Sequence, residues 1–129
     1  MNEELRDSKS KIAERSFHFS LLILKLYQKL EGDSIGRILG KQMLRSGTSI
    51  GANVHEAQGG QSKADFISKM SIAYKEARET VYWLRLIQAT ELISPAQISE
   101  LADESSQSTK ILSSILLTSK KNQKQAANS

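Results

Sequence analysis

Residues Arg45 to Trp83 read RSGTSIGANVHEAQGGQSKADFISKMSIAYKEARETVYW. The pair Gly59-Gly60 inside this stretch is the strongest helix breaker in the chain, because glycine takes left-handed backbone angles at no steric cost. Ser62 follows as an N-cap whose hydroxyl accepts from the free amides of the next turn. Asp65, three residues on, is a shorter version of the capping-box acid. The stretch predicts a helix, a two-glycine stop and a second helix returning antiparallel to the first. The other segments are expected to pack against that hairpin.

At about 100° per residue, Leu39, Met43, Ile50, Val54 and Ala57 share one arc of the helix before the corner, its expected core face. Arg37, Lys41, Arg45, Ser49, Asn53 and Glu56 gather on the far side as a polar stripe. Gly36, Gly40, Gly47 and Gly51 fall together beside the apolar arc. Each glycine costs a helix roughly 1 kcal/mol against alanine, so a line of them needs a reason. The spacings Gly36/Gly40 and Gly47/Gly51 are those of small residues where a second backbone comes close. The plainer reading is a weak, frayed helix.

In the helix after the corner, Phe66, Met70, Ala73, Ala77, Val81 and Leu84 follow steps of three and four and form one face. Tyr82, Trp83 and Leu86 lie off it. They read either as a rim of half-buried aromatics or as a subunit contact, where tyrosine and tryptophan are enriched.

Working outward, residues 8–30 predict a first helix with Ile12, Phe19, Ile23, Leu26 and Leu30 as its seam. Phe17, Leu21 and Leu24 form a neighbouring seam, so this helix is expected to be buried on two sides or to meet another subunit. Gly32 stops it, and Asp33 or Ser34 caps the next helix, 35–58. The third helix is expected over 63–91. Ser94-Pro95 then opens a fourth over 95–120, with Gln97 completing a capping box and Ile93 and Ile98 a hydrophobic staple. Its seam is Ile98, Leu101, Leu112 and Ile115, thinned by Ser105 and Ser108. The lead before Ser8 reads as frayed and residues 122–129 as a disordered polar tail. Short loops make antiparallel neighbours, so the class is all-α, a four-helix bundle in a single domain over 1–129.

Three motifs carry a resemblance: R-S-G-T-S-I-G-A-N-V-H-E-A (Arg45 to Ala57), G-x-S-K-x-D-F-I (Gly60 to Ile67) and I-A-x-K-E-A-x-E-T-x-Y-W-L (Ile72 to Leu84). Together they resemble the small bacterial four-helix-bundle family that includes proteins encoded in intervening sequences of 23S ribosomal RNA genes. The accessory protein of diversity-generating retroelements is a relative. The family pattern often carries alanine where this chain has His55 and glycine where it has Ala57. The resemblance implies an antiparallel up-down-up-down bundle assembling as a ring-like homopentamer. It also implies no known enzymatic activity, and it is similar to a nucleic-acid and reverse-transcriptase partner in the retroelement relative.

Composition narrows the chemistry. Aromatics are 5% of the 129 residues against 39% hydrophobic, so the expected core is aliphatic. With no cysteine, disulfides, thiolate nucleophiles and thiolate metal sites are excluded, which fits a cytoplasmic protein. The most apolar run, Phe17 to Leu26, holds His18, Ser20 and Lys25 and is far too short to span a bilayer, so no membrane role is expected. His18 and His55 stand on different helices, and neither has the second histidine or the Glu-x-x-His partner that a metal site needs. Gly59 to Lys63 is only a loose phosphate cradle without Walker spacing, though a helix start can still hold an anion weakly. No catalytic residue, metal or cofactor is expected.

A formal charge of +4 permits nucleic-acid binding without demanding it. Arg37, Lys41 and Arg45 recur every fourth residue, and no acid occurs from Ser34 to Val54. That stripe is either an ordinary solvated face or, with Lys120, Lys121 and Lys124, a contact for RNA or DNA. Ser49, Asn53, Glu56, Tyr82 and Trp83 are the candidates for assembly or partner contact. Arg45 and Glu56 are expected to find partners on another helix or another subunit. The expected function is a non-enzymatic homo-oligomer that binds nucleic acid or a ribonucleoprotein through its basic surface, with a nucleic-acid-processing protein as a further candidate partner. The alternative is a protein-interaction scaffold that binds no nucleic acid.

Overall fold

The computed structural model describes residues 3–128 and, within them, every side chain but that of Ser10. Four helices account for nearly all of it: α1 (Glu3–Leu30), α2 (Ser34–Gln58), α3 (Lys63–Thr90) and α4 (Pro95–Ala127). Each packs on its chain neighbours, and α4 closes on α1, so α1 and α3 stand diagonally. The bundle has two ends. The Gly59-Gly60 corner, the start of α1 and the finish of α4 lie at one, called the corner end. The α1–α2 and α3–α4 turns lie at the other.

The caps fix those turns. The Gly36 amide donates to the Asp33 carboxylate at 2.8 Å, and the Asp65 amide donates to Ser62 Oγ at 3.1 Å. α3 ends on Glu91, which takes the left-handed conformation (φ 61°) usually given to glycine. Pro95 occupies the first turn of α4 as expected, but the Ser94 side chain makes no capping bond. The amide of Gln97 donates to the Ser94 carbonyl instead, at 3.0 Å. The capping box read at this point is therefore absent, and the proline sets the helix start through its fixed φ.

The core is aliphatic, as composition implied: Ile12, Ile23, Met43, Ile50, Ile87 and Leu112 are wholly buried around the single large aromatic Phe19. On α3 the core position expected of Val81 is held by Thr80. Its hydroxyl sits 2.9 Å from that of Ser46 on α2 and donates to the Glu76 carbonyl at 2.8 Å, so two buried hydroxyls satisfy each other. Leu39 and Phe66 reach the core only in part.

The glycine line is a line of close approach. A Cβ on Gly36 would lie 2.5 Å from the Leu30 carbonyl oxygen, and one on Gly47 would lie 2.9 Å from Ile23 Cγ1. On Gly51 it would meet the Ser16 carbonyl oxygen at 3.2 Å. α1 lies against that face along its length.

Both ends of the chain correct the reading from sequence. The lead is helical from Glu3, because Leu5 is buried one heptad before Ile12. The expected disordered tail is helical to Ala127, because the α4 seam runs on through buried Ser119 to half-buried Asn122. Met1, Asn2 and Ser129 lie outside the described residues.

Candidate functional site

The stripe Arg37–Lys41–Arg45–Ser49–Asn53 does not form one surface. Steps of four residues on a helix of 3.6 per turn drift by about 40° each. The stripe therefore starts on the α1 side of α2 and winds to the α3 side. Arg37 Nε donates to the Glu31 carbonyl at 3.1 Å, which holds it at the end away from the corner. Lys41 is exposed.

Arg45 is bound within the chain. It donates to Glu76 at 3.2 Å and to Glu79, both on α3. Asn53 Nδ2 donates to the Ser49 carbonyl at 2.9 Å and to its hydroxyl at 3.1 Å. Glu56 pairs with Lys69 of α3 at 2.8 Å. The partners of Arg45, a candidate nucleic-acid contact, and of Glu56, a candidate assembly contact, thus come from the neighbouring helix α3, while Asn53 and Ser49 bond to each other within α2. Tyr82 is exposed and lies edge-on to half-buried Trp83, ring centroids 5.1 Å apart.

The Arg45 hydrogen bond is the main cause holding the Glu79 carboxyl below its ordinary range, against an opposing push from burial. The buried Trp83 N–H adds to the depression, although it makes no hydrogen bond of normal geometry. A carboxylate whose pKa is lowered on folding stabilises the fold fully above the unfolded glutamate value of about 4.3, and loses that contribution as pH falls through the lower folded value. Arg45→Met should therefore flatten the acid limb of the stability curve below about pH 4.3. At neutral pH the loss should stay within about 1 kcal/mol, since both groups are solvated. Urea melts of both proteins from pH 3 to 7 check this, and parallel acid limbs would show that the pair carries no pH-dependent stability.

The site that sequence reading did not assemble is at the corner end. Gln58 Nε2 donates to the Lys9 carbonyl at 2.9 Å, which sets the level of the corner on α1. The first turns of α1 and the last turns of α4 project past that level. Between them and the corner lies an open groove of about 850 Å³. Its apolar floor is Leu5, Ala57, Phe66 and Ile67, and its charged wall is Arg6, Lys9 and Lys63. Among the described residues no aspartate or glutamate lines it.

Lys9 Nζ stands 3.7 Å above the centre of the Phe66 ring. Burial, and then the charge of Lys63, hold the Lys9 ammonium below its ordinary value. Ser119 on the groove wall is buried, and its hydroxyl has no hydrogen-bond partner. The α3 N-terminus opens here too: Ser62 satisfies the amides of Asp65 and Phe66, and the helix ladder leaves those of Lys63 and Ala64 over. Lys120, Lys121 and Lys124 ring the last turns of α4 at the same end, all exposed. Gln58, the last residue of α2, is about 31 Å along the helix from Arg37. The two groups of candidate cations are therefore at opposite ends.

Lys9 and Ser119 fall inside the helices expected over 8–30 and 95–120 without being singled out there, and Lys63 enters the sequence reading only as the end of a loose phosphate cradle. The heptad continuation Leu5–Ile12–Phe19 and the seam Leu112–Ile115–Ser119–Asn122 were the available signals. A second, smaller cleft between α1 and α4 is lined by Glu14, Arg15, His18, Glu100, Asp103 and Glu104, among others. Arg15 crosses it to Glu104 with two hydrogen bonds of 2.9 Å. Among the described residues no cluster has the ligands for a metal ion, and no helix is long and apolar enough to cross a membrane.

The bundle has a solved counterpart. A crystal structure of a protein of unknown function from the S23 ribosomal protein family of Bacteroides thetaiotaomicron is similar to it at a TM-score of 0.77 and 45% identity, over 81% of this chain and 97% of that one. No curated protein matches the chain. A family model described as 23S rRNA-intervening sequence protein matches residues 8–114, from the second turn of α1 to the middle of α4, and so takes in the glycine line and the corner. With most of the four-helix frame inside that match, the chain belongs to the 23S rRNA-intervening sequence protein family.

Proposed function

We propose that this protein is a non-enzymatic, homo-oligomeric helical bundle that holds nucleic acid, as RNA or DNA, at the corner end. The observation that carries this reading is a set of lysines at that end without ion-pair partners. Among the described residues, Lys9, Lys63, Lys120, Lys121 and Lys124 take part in no ion pair, whereas Arg15, Arg45 and Lys69 are each matched by an acid. Lysines without acidic partners are suited to phosphate oxygens, with little selectivity for sequence and strong sensitivity to salt. Arg37 and Lys41 are a separate, weaker candidate at the other end.

A shift assay over a salt series tests the reading. The Lys120→Glu/Lys121→Glu/Lys124→Glu protein should lose retention of both RNA and DNA. Its salt slope should fall by about one unit per phosphate contact removed. Arg37→Glu/Lys41→Glu should change retention much less. Equal retention by wild type and the triple variant would sink the corner-end reading.

A second reading, a scaffold for protein contact, is favoured by exposed apolar side chains. Phe17, Leu21 and Leu24 form a line on the outer side of α1, and Ile35, Ile38 and Tyr82 lie exposed on α2 and α3. The solvent-accessible area is 7802 Å², against about 6,800 Å² for a compact monomer of this mass. The surplus and the two patches are what self-association would cover. The ring of five is what the family resemblance implies. A nuclease-resistant complex with a defined protein partner, in the absence of nucleic-acid retention, would favour the scaffold alone.

A further inference from the structure

We infer that the corner-end groove is a discrete binding site for a phosphate monoester carrying a planar, partly apolar body, such as one nucleotide unit. The inference rests on the same basic end as the polyanion reading, but concerns a cavity with its own floor and donors. Phosphate fits the wall. Two lysines face a space that no described acid lines, and the start of α3, with two amides left over by its ladder and a dipole that favours an anion, borders the same space at Ser62 and Lys63. Like charges held together without a counter-charge are a standing cost, and a bound dianion would remove it. The buried Ser119 hydroxyl without a partner is a second, independent vacancy for a hydrogen bond on the same wall.

The body of the ligand is set by the rest of the lining. Leu5, Ala57, Phe66 and Ile67 offer apolar surface that an inorganic anion would leave uncovered. Gln61, Asn122 and Gln125 add carboxamides, which donate and accept at once and so match base edges or sugar hydroxyls. The volume of about 850 Å³ is within the range of small-molecule sites. The unit can come from a free nucleotide or from the phosphorylated end of a strand, because both present the same group.

The test is calorimetric titration of the full chain with inorganic phosphate, adenosine, adenosine 5′-monophosphate, and a short oligoribonucleotide with and without a 5′-phosphate. The monophosphate should saturate at one per chain and bind at least about tenfold tighter than adenosine or inorganic phosphate. Lys9→Met and Lys63→Glu should each weaken it about tenfold or more, the effect of one charge-assisted hydrogen bond. Lys9→Met keeps an apolar stem on Phe66, and Lys63→Glu puts an acid in the first turn of a helix, which favours the fold. Matching urea midpoints would confirm that binding alone is affected. A 5′-phosphorylated strand binding tighter than the free monophosphate identifies a strand end as the source, and equal or weaker binding identifies the free nucleotide.

Absence of saturation, adenosine binding as tightly as its monophosphate, or unchanged affinity in both lysine variants overturns the inference. If long RNA is still retained while the monophosphate does not bind, the groove site falls and the polyanion reading stands. If the monophosphate saturates while long RNA is not retained, the reverse holds.

Discussion

Gly47→Leu should lower the unfolding free energy by about 3 kcal/mol, the upper end of the usual overpacking range. At Gly47 even a Cβ would meet Ile23 at three atoms, 2.9, 3.1 and 3.2 Å away. Ile23 is wholly buried and has no free volume to move into. Leucine adds three more carbons beyond that Cβ, so α1 would have to separate from α2. Helix propensity acts the other way, by roughly 1 kcal/mol in favour of any ordinary residue over glycine. The sign of the result therefore decides between close helix approach and a merely weak helix. Gly32→Ala is the control: a Cβ there meets nothing within 4 Å and no glycine has positive φ, so that change should be neutral or slightly stabilising. Urea unfolding of both variants measures the difference. A Gly47→Leu midpoint equal to that of wild type would mean that the line of glycines is not a packing device.

Single charges placed on either exposed apolar patch should break the proposed assembly down to the 14.3 kDa chain. A head-to-tail ring needs two different patches, one on each side of every contact, whereas a two-fold dimer needs one self-complementary patch. Phe17 is on the outer side of α1 at 69% exposure, and Tyr82 is on α3, the diagonal helix, at 56%. Their outward faces look in different directions, as a head-to-tail contact requires. Burying a glutamate without a partner at either patch costs several kcal/mol per contact. Light scattering should thus report monomers for Phe17→Glu and for Tyr82→Glu separately. An equal mixture of the two should give a dimer and nothing larger, because one intact patch of each kind remains for one contact. Wild type scattering as a single chain in dilute solution would remove the assembly altogether. Dissociation by only one of the two substitutions would replace the ring with another geometry.

Local chemistry alone settled the number of helices and most of their limits. Gly59-Gly60 stops α2 where expected, although Gly59 (φ −91°) does not take the left-handed conformation read for it; it, the Ser62 and Asp33 caps and Pro95 act within one turn of backbone, so no knowledge of the rest of the molecule is needed to place them. The periodic seams of Met43–Ile50–Val54 and Met70–Ala73–Ala77 likewise carry their own signal, and all six residues are buried.

What packing decided is where polar residues stand relative to one another. Whether Arg45 is a free cation depends on Glu76 and Glu79 lying across from it, 31 and 34 residues away in sequence. Whether residues 3–7 and 122–127 are helical depends on how far the seams of α1 and α4 stay covered, through Leu5 at one end and Ser119 and Asn122 at the other. Polar segments of that kind have too little apolar periodicity to announce themselves. The groove exists only because three separate pieces of chain meet there: the first turns of α1, the Gly60–Phe66 corner and the last turns of α4. Its charge is a sum over residues as distant in sequence as Lys9 and Lys63, and such a sum is fixed by the tertiary fold.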